Sequence, residues 1–257
     1  MFTWRHLLWL AICVLLIVLI VYEYKKRKRS LDRVLTTTLT IAILSETAKM
    51  TGVIELVPSQ NGELLLPYLP MNHLPLHFCS IQILLIIAVK LIKSKKKRET
   101  LLAFMAPTCV LGGIMALLMP SIFTTTISVE QAFTSIMSYQ FFIFHTMIIA
   151  FGIIIAKSDW VDWDKKHYKN TVLLVYLLGF ISIYLNSILA SPNYVDGKLV
   201  SVDFWTNFFF TYQNPIGIKL TAIWQWYVYL AIIMALTALL VYLFYWPLIR
   251  KTKQNDK

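Results

Sequence analysis

Charged residues are scarce in this sequence of 257 residues. Asp, Glu, Lys and Arg make up 14% of the chain, whereas 58% of the residues are hydrophobic; soluble domains usually carry about 25% charged residues. So few charged side chains do not cover the surface that a soluble protein of this length exposes, whereas a lipid bilayer accepts an apolar exterior. The composition excludes an ordinary water-soluble fold and predicts a polytopic membrane protein.

Cysteine is also scarce. The chain has three cysteines, Cys13, Cys79 and Cys109, and all of them fall within long apolar stretches. No disulfide framework is predicted, and cysteine usage does not constrain the redox compartment. Because Cys13 and Cys109 lack polar company comparable to that of Cys79, we interpret them as packing residues.

Seven stretches are apolar and long enough to cross the hydrocarbon layer, which is about 30 Å thick and takes about 20 helical residues. They cover residues 7–22, 35–56, 74–92, 101–119, 139–156, 171–190 and 223–246. The longest pieces between them are shorter than the roughly 50 residues that an independent core needs. The predicted fold is therefore all-α, with residues 1–257 forming one integral membrane domain that is a bundle of seven transmembrane helices.

Lys and Arg are distributed very unevenly along the chain. Twenty of the 24 follow or end the first, third, fifth and seventh spans, and three lie on the opposite side. Because cytoplasmic loops collect Lys and Arg, this distribution predicts an N-terminus outside and a C-terminus in the cytoplasm. The net charge of +11 is then a topology signal that also attracts anionic lipid of the inner leaflet. Nucleic-acid binding is not predicted, since it requires cations on one water-facing surface.

A few polar side chains fall inside the predicted spans, where each is costly unless it faces a partner or a wet cavity. At a rise of about 1.5 Å per residue, Cys79, His145 and Asn186 lie about 6–9 Å from the outer ends of three different helices. His77 and Gln82 lie close to Cys79 in the sequence. A thiol, an imidazole and an amide are thus predicted in one layer of the outer leaflet, which indicates a site that opens outward.

The second span carries a pair of opposite charges. Glu46 and Lys49 are three residues apart, so they lie on adjacent parts of one helical face and can neutralise each other. Two interpretations remain open. The pair is either a structural ion pair that holds the bundle together or a contributor to the site.

The thiol and the imidazole together point to nucleophilic catalysis. His145 would accept the proton of Cys79, which gives the nucleophile and the base of acyl transfer through a thioester. Backbone N–H groups or the amide of Asn186 would stabilise the oxyanion. His77 lies about 200° around a helix from Cys79 and is not predicted to be its direct base. We expect His77, Gln82 and Asn186 to form a polar shell that orients the reacting groups or donates hydrogen bonds.

Two other chemistries compete with acyl transfer. His73 and His77 have an H-x-x-x-H spacing, to which His145 or Glu46 could add a third metal ligand. His73 lies before the third span begins, however, and neither a metal nor another cofactor is predicted. A transporter would use the same polar core to line a path, although the sequence shows no inverted repeats or paired broken helices.

Four segments resemble motifs of the YwaF-type bacterial integral membrane proteins, whose eukaryotic relative is the transmembrane protein 164 acyltransferase. LPLHFC, at 74–79, is similar to the family's Pro-Leu-His-Leu-Cys signature, and GGIMALLMP, at 112–120, to its Gly and Ala-Leu-Leu-x-Pro helix end. YQFFIFH, at 139–145, is similar to its phenylalanine-rich segment ending in His, and NSILASPNY, at 186–194, to the Asn-rich end of its sixth span. The resemblance covers most of the chain from Leu35 onward.

The resemblance implies an acyltransferase that moves a fatty acyl chain between membrane phospholipids or lysolipids through a Cys thioester. Carried over by motif, the nucleophile is Cys79 and its base is His145. A dry outer-leaflet pocket would favour transfer over hydrolysis, and residues 204–212 would form an interfacial lid or an ordinary aromatic belt. The expected location is a bacterial plasma membrane. The alternative function is a non-enzymatic membrane transporter or sensor with a polar ligand site in the outer half of the bundle.

Overall fold

The computed structural model describes residues 2–59, 61–62, 64–123, 125–214 and 217–255. Within these residues, α-helices alternate with turns and two short β-hairpins. The helices are α1 (Trp4–Arg27), α2 (Leu31–Val53), α3 (Ile81–Leu91), α4 (Lys95–Leu118), α5 (Thr126–Glu130), α6 (Ile136–Lys157), α7 (Lys165–Ile188) and α8 (Ile223–Asn255). The strands are β1 (Glu55–Pro58), β2 (Leu65–Tyr68), β3 (Ser191–Val195) and β4 (Lys198–Asp203), and short 3₁₀ turns cover Met71–His73 and Phe208–Phe210.

Two of the long helices begin at side chains that cap their free N–H groups. The side chain of Thr3 accepts a hydrogen bond from the His6 N–H at the start of α1. The carboxylate of Asp164 accepts one from the His167 N–H, at 2.6 Å, at the start of α7. Each such cap replaces a missing intrahelical bond and contributes about 1 kcal/mol to helix stability.

Among the described residues, five helices are long and apolar enough to cross a membrane: α1, α4, α6, α7 and α8. The protein is therefore a mostly helical integral membrane protein. The predicted second span corresponds to α2, a Thr-rich helix that carries Glu46 and Lys49 and does not belong to those five. The count of seven spans and the orientation of the termini stay predictions.

The third predicted span is shorter in the structure than in the prediction. α3 has 11 residues, which make about 17 Å of helix against a hydrocarbon layer of about 30 Å. Residues 74–80 form turns instead of a helix, so the helical geometry inferred for His77 and Cys79 is wrong. The physical reason is local. Pro75 has no N–H for a helical bond, and the side chain of His77 binds the carbonyl of Asn72 and folds the segment back.

Two antiparallel hairpins were not part of the all-α prediction. β1 pairs with β2, with Glu55 opposite Tyr68, and β3 pairs with β4, with Ser191 opposite Asp203. Glu55 belongs to β1, and α2 accordingly ends before residue 56, where the second span was predicted to end. Isolated two-stranded hairpins are marginally stable, so these depend on the helices that carry them.

The helices α4 and α6 lie at the centre of the bundle. α6 contacts α1, α2 and α4, and most of its side chains are buried, whereas α1 and α8 are mostly exposed and suited to face lipid. Gly152 of α6 allows a close approach, because a Cβ at that position would lie 2.7 Å from the carbonyl oxygen of Ala106 on α4. Small residues at such contacts let helices pack closely inside a membrane.

Tyr245 attaches the exposed α8 to this centre. Its ring is fully buried, and its hydroxyl donates to the carbonyl oxygen of Ala103 on α4 at 2.8 Å. Because that donor is used, the hydroxyl of Thr171 on α7, also at 2.8 Å, must donate to Tyr245. One phenol therefore connects α4, α7 and α8.

Candidate active site

Cys79 lies in the turn that immediately precedes α3. Its thiol is free and its side chain is half-buried, and Ser80, the next residue, is the N-cap of the helix. In the described part of the chain, the backbone N–H groups of Phe78, Cys79 and Ser80 donate no hydrogen bond. Free N–H groups at a helix start favour negative charge. The candidate nucleophile is therefore next to donors suited to an oxyanion.

Two consecutive glycines of α4 contact the two segments that carry the candidate residues. A Cβ at Gly112 would lie 3.4 Å from Sγ of Cys79. A Cβ at Gly113 would clash with Ile149 of α6 and would lie 3.3 Å from the carbonyl oxygen of His145. Cys79 and His145 therefore lie against neighbouring positions in one turn of α4, although they belong to different elements of the fold.

The buried imidazole of His145 is oriented by its own helix. Nδ1 lies 2.6 Å from the carbonyl oxygen of Phe141, one turn earlier on α6. Because a carbonyl oxygen only accepts hydrogen bonds, Nδ1 carries the proton and Nε2 keeps its lone pair. The ring of Phe141 also packs on the imidazole, with ring centroids 4.3 Å apart. This tautomer is the one that a general base acting through Nε2 requires.

The described residues show no hydrogen bond between Sγ of Cys79 and the ring of His145. Catalytic hydrogen bonds of this kind often shorten only when the substrate binds. At Gly112 and Gly113 of α4, the contacts involve the thiol of Cys79 and the backbone carbonyl of His145.

His77 lies at the edge of the same site. Its Nε2 is 2.9 Å from the carbonyl oxygen of Asn72, so Nε2 donates and Nδ1 keeps the lone pair. Its ring lies edge-on against Phe208, with centroids 4.8 Å apart. His77 is also near enough to His145 for a charge on one ring to act on the other. The role of His77 in a polar shell stays a prediction.

An aromatic loop, residues 204–212, packs over the turn that holds Cys79. Phe208 is fully buried against His77, and the ring of Phe209 lies edge-on to Phe78 at 5.0 Å. Phe209 has a φ of 58°, in the left-handed region, which costs a bulky residue about 1–3 kcal/mol. Such strain persists only where surrounding contacts hold the backbone. The loop has the position that a lid over this site requires.

Asn186 holds the aromatic loop in place. Its completely buried side chain accepts hydrogen bonds from the Thr206 hydroxyl and the Phe208 N–H, both at 2.9 Å. It donates to the carbonyl oxygen of Phe208 at 3.1 Å and to the hydroxyl of Thr211 at 2.9 Å. Both amide hydrogens are therefore used inside the protein. Asn186 therefore positions the aromatic loop and has no free donor for an oxyanion, so the predicted role of its amide as an oxyanion donor is wrong.

Gln82 connects the turn before α3 to α4. Its Nε2 donates to the hydroxyl of Thr108 at 3.0 Å and to the carbonyl oxygen of Phe78 at 3.2 Å. Because that carbonyl only accepts, the orientation of the amide is determined, and both of its hydrogens are used. Its Oε1 is buried and has no hydrogen-bond partner in the described part of the chain. Gln82 therefore keeps one buried acceptor without a partner.

Glu46 and Lys49 form a partly buried ion pair on α2. The ammonium of Lys49 also donates to the carbonyl oxygen of His73 at 2.9 Å. The pair thus links α2 to the segment that leads to Cys79. This contact favours the structural one of the two interpretations that the sequence left open.

The described residues contain no group of three His, Cys, Asp or Glu side chains that could hold a metal ion. His73, which precedes the third span, contacts Lys49 through its carbonyl oxygen. Burial, assisted by the charge of Lys49, lowers the pKa of His73. Its ring is therefore neutral at pH 7, since the ordinary value is about 6.5.

The family of the chain follows from a comparison of the whole sequence. A model of the TMEM164 family matches residues 1–245. The chain belongs to the TMEM164 family. The match includes all four segments on which the resemblance rests, so that prediction is confirmed. No curated protein and no solved structure is significantly similar to this TMEM164-family protein.

Sequence reasoning about this TMEM164-family protein missed two contributors to the site. Thr108 lies on an apolar face of α4 and has no sequence signal, because a lone Thr in a membrane helix usually bonds its own backbone. Phe208 belongs to the aromatic run that was noticed in the sequence, but nothing in that run indicates its contact with His77. Both residues act through partners that are distant in the chain.

Proposed function

We propose that this TMEM164-family protein is an acyltransferase of a bacterial plasma membrane. It moves a fatty acyl chain between phospholipids or lysolipids through a thioester on Cys79. The observation that carries the proposal is the tautomer of His145, whose Nδ1–H is held by Phe141 while Nε2 keeps its lone pair. The backbone carbonyl of His145 lies beside the same turn of α4 as the thiol.

The first half-reaction loads the acyl chain onto the enzyme. Nε2 of His145 takes the thiol proton while Sγ of Cys79 attacks the carbonyl carbon of a phospholipid ester. The tetrahedral intermediate then collapses, the ester C–O bond breaks, and His145 returns the proton to the departing oxygen. The products are a thioester on Cys79 and a free lysolipid.

The second half-reaction transfers the chain to an acceptor. A lysolipid hydroxyl gives its proton to Nε2 of His145 and attacks the thioester carbonyl. The C–S bond breaks, and the sulfur of Cys79 regains the proton from His145. The two steps exchange one acyl chain between two lipids and consume no other reactant.

Both steps place negative charge on a carbonyl oxygen. The free backbone N–H groups of Phe78, Cys79 and Ser80, in the turn before α3, are suited to bind it. The amides of Gln82 and Asn186 have no free donor for this task.

The aromatic loop supports transfer over hydrolysis. A thioester loses its chain to water unless water is kept away from it. The rings of Phe208 and Phe209 pack on His77 and Phe78, directly before Cys79 in the chain. An apolar cover in this position leaves a lipid hydroxyl, which arrives within the bilayer, as the favoured acceptor.

The test measures exchange of an isotope-labelled acyl chain between a phospholipid and a lysophospholipid by the purified protein in nanodiscs. Cys79→Ala abolishes the exchange. Cys13→Ala is the matched control, because Cys13 is a second buried thiol, on α1, and it retains the exchange. Exchange that survives in Cys79→Ala overturns the proposal.

Intact mass gives a second measurement. During turnover the wild-type protein carries a fatty acyl adduct that neutral hydroxylamine removes and that peptide mapping assigns to Cys79. An unmodified mass under conditions of measurable exchange argues against the thioester. A ligand that binds equally well to wild type and Cys79→Ala, without any exchange in either, would favour a transporter or sensor.

A further inference from the structure

A groove on the surface of the bundle lies between α1, α6 and α8. Its volume is about 580 Å³, within the range of about 300–1,000 Å³ that is typical of ligand pockets. On α6 the groove is lined by Ile153 and Lys157, which follow His145 by about 12–18 Å along the helix. The groove is therefore separate from the candidate active site.

The groove combines apolar walls with a basic end. On α1, Val21 lies one turn before Lys25, and on α6, Ile153 lies one turn before Lys157. One turn is about 5.4 Å, so each of the two lysines lies next to the apolar wall. Lysines near a membrane interface commonly have this arrangement, in which the stem packs in hydrocarbon and the ammonium reaches the polar region. Lys251 of α8 lines the same groove. Three separate helices thus bring three lysines together.

The carboxylates near the groove do not neutralise the positive charge of these three lysines. No carboxylate lines the groove in the described part of the chain. Glu23 on α1 is paired with Arg27 at 2.7 Å. Asp159 follows α6 and lies near Tyr24, which lines the groove. Among the residues that the structure describes, three lysines therefore face one nearby carboxylate that is not already paired. An occupant with both an apolar tail and a negative head complements the groove.

We propose that this groove binds one acidic glycerophospholipid from the surrounding leaflet. An acyl chain lies along the wall that includes Val18, Val21 and Ile153, and the phosphate lies among the ammonium groups of Lys25, Lys157 and Lys251. Clusters of basic residues near the membrane interface recognise acidic lipids in this way. The site adds a lipid contact that the acyl-transfer reaction does not require.

The test is native mass spectrometry of the full-length protein with phosphatidylglycerol and with phosphatidylcholine of identical acyl chains. The wild type retains one phosphatidylglycerol at concentrations at least about tenfold lower than phosphatidylcholine. The variant Lys25→Gln/Lys157→Gln/Lys251→Gln loses this preference. The control Lys26→Gln/Lys97→Gln/Lys169→Gln, which removes the same charge from exposed positions outside the groove, keeps it.

Equal binding of the two lipids by the wild type overturns the proposal, as does equal loss of binding in both triple variants. If the first triple variant does not fold, a photoreactive phosphatidylglycerol decides the question with wild-type protein. Crosslinks to the α1 and α6 segments that line the groove support the site, and crosslinks confined to other helices contradict it. Cys79→Ala retains the same lipid preference, so failure of the acyl-transfer proposal and failure of this one are distinguishable.

Discussion

His145 Nδ1 donates a hydrogen bond to the carbonyl oxygen of Phe141, one turn earlier on the same helix, at 2.6 Å. A histidine inside a helix can thus be oriented by its own backbone, without a carboxylate partner. The arrangement leaves Nε2 as the basic atom. Under the proposed function, Nε2 of His145 is the atom that accepts the thiol proton.

We expect His145→Ala to reduce acyl exchange by about 10²–10⁴-fold, the contribution typical of a general base. Loading of Cys79 falls as well, because the thiol keeps its proton. The measurement is exchange in nanodiscs together with the intact mass. His167→Ala, at the far end of α7 from Asn186, is the control and keeps its activity. Normal exchange by a folded His145→Ala protein would show that another group takes the proton.

Gly112→Ala should reduce activity while the bundle stays folded. The new Cβ would lie 3.0 Å from the ring of Phe78 and 3.4 Å from Sγ of Cys79, so the turn that holds the thiol must shift. Gly179→Ala is the matched control, because nothing lies within 4 Å of its Cβ position; that change adds helix propensity worth about 1 kcal/mol. The measurement is exchange alongside thermal unfolding in detergent. Equal activity of the two variants would contradict the proposed packing.

Asn186→Ala should release the aromatic loop. The change removes four buried hydrogen bonds and leaves partners such as the Phe208 carbonyl unpaired, for a loss of roughly 2–4 kcal/mol of unfolding free energy. We expect new protease cleavage within residues 204–212 and a larger share of acyl chains lost to water. Asn193→Ala removes an exposed amide on β3 and serves as the control. Unchanged protease protection in Asn186→Ala would refute the positioning role.

Tyr245→Phe separates stability from chemistry. The change removes the hydroxyl that joins Ala103 on α4 to Thr171 on α7, and we expect a loss of about 1–2 kcal/mol in unfolding free energy. Exchange per folded molecule stays at the wild-type level, because Tyr245 belongs to a different part of the bundle from Cys79. Tyr242→Phe, at an exposed position of α8, leaves both quantities unchanged. A large loss of exchange in folded Tyr245→Phe would show that α8 is coupled to the site.

Hydropathy predicted the positions of the long helices well. α4, α6 and α7 overlap their predicted spans, because a helix that crosses hydrocarbon needs a long apolar run that is visible in the sequence. The third span shows the limit of this reasoning. An apolar run does not reveal that the side chain of His77 binds the carbonyl of Asn72 and delays the helix until Ile81.

The candidate site also has some features that the sequence predicts and others that it does not. Residue types and the family resemblance led to Cys79 and His145 as the proposed pair, since a thiol and an imidazole are conspicuous among apolar neighbours. Sequence reasoning also placed Asn186 in the polar shell, but its role depends on Phe208 and Thr211, which are more than 20 residues away. The partners of an amide are a property of the folded chain, and composition does not predict them.

The sequence by itself determined that this chain enters a membrane and where its long helices lie, because each of these properties depends on neighbouring residues. Only the tertiary structure decided that the thiol of Cys79 lies against Gly112 of α4 and the backbone carbonyl of His145 against Gly113. It also decided that the amides of Gln82 and Asn186 have no donors left. The physical reason is that close helix approach and hydrogen-bond partners come from contacts between residues far apart in the chain.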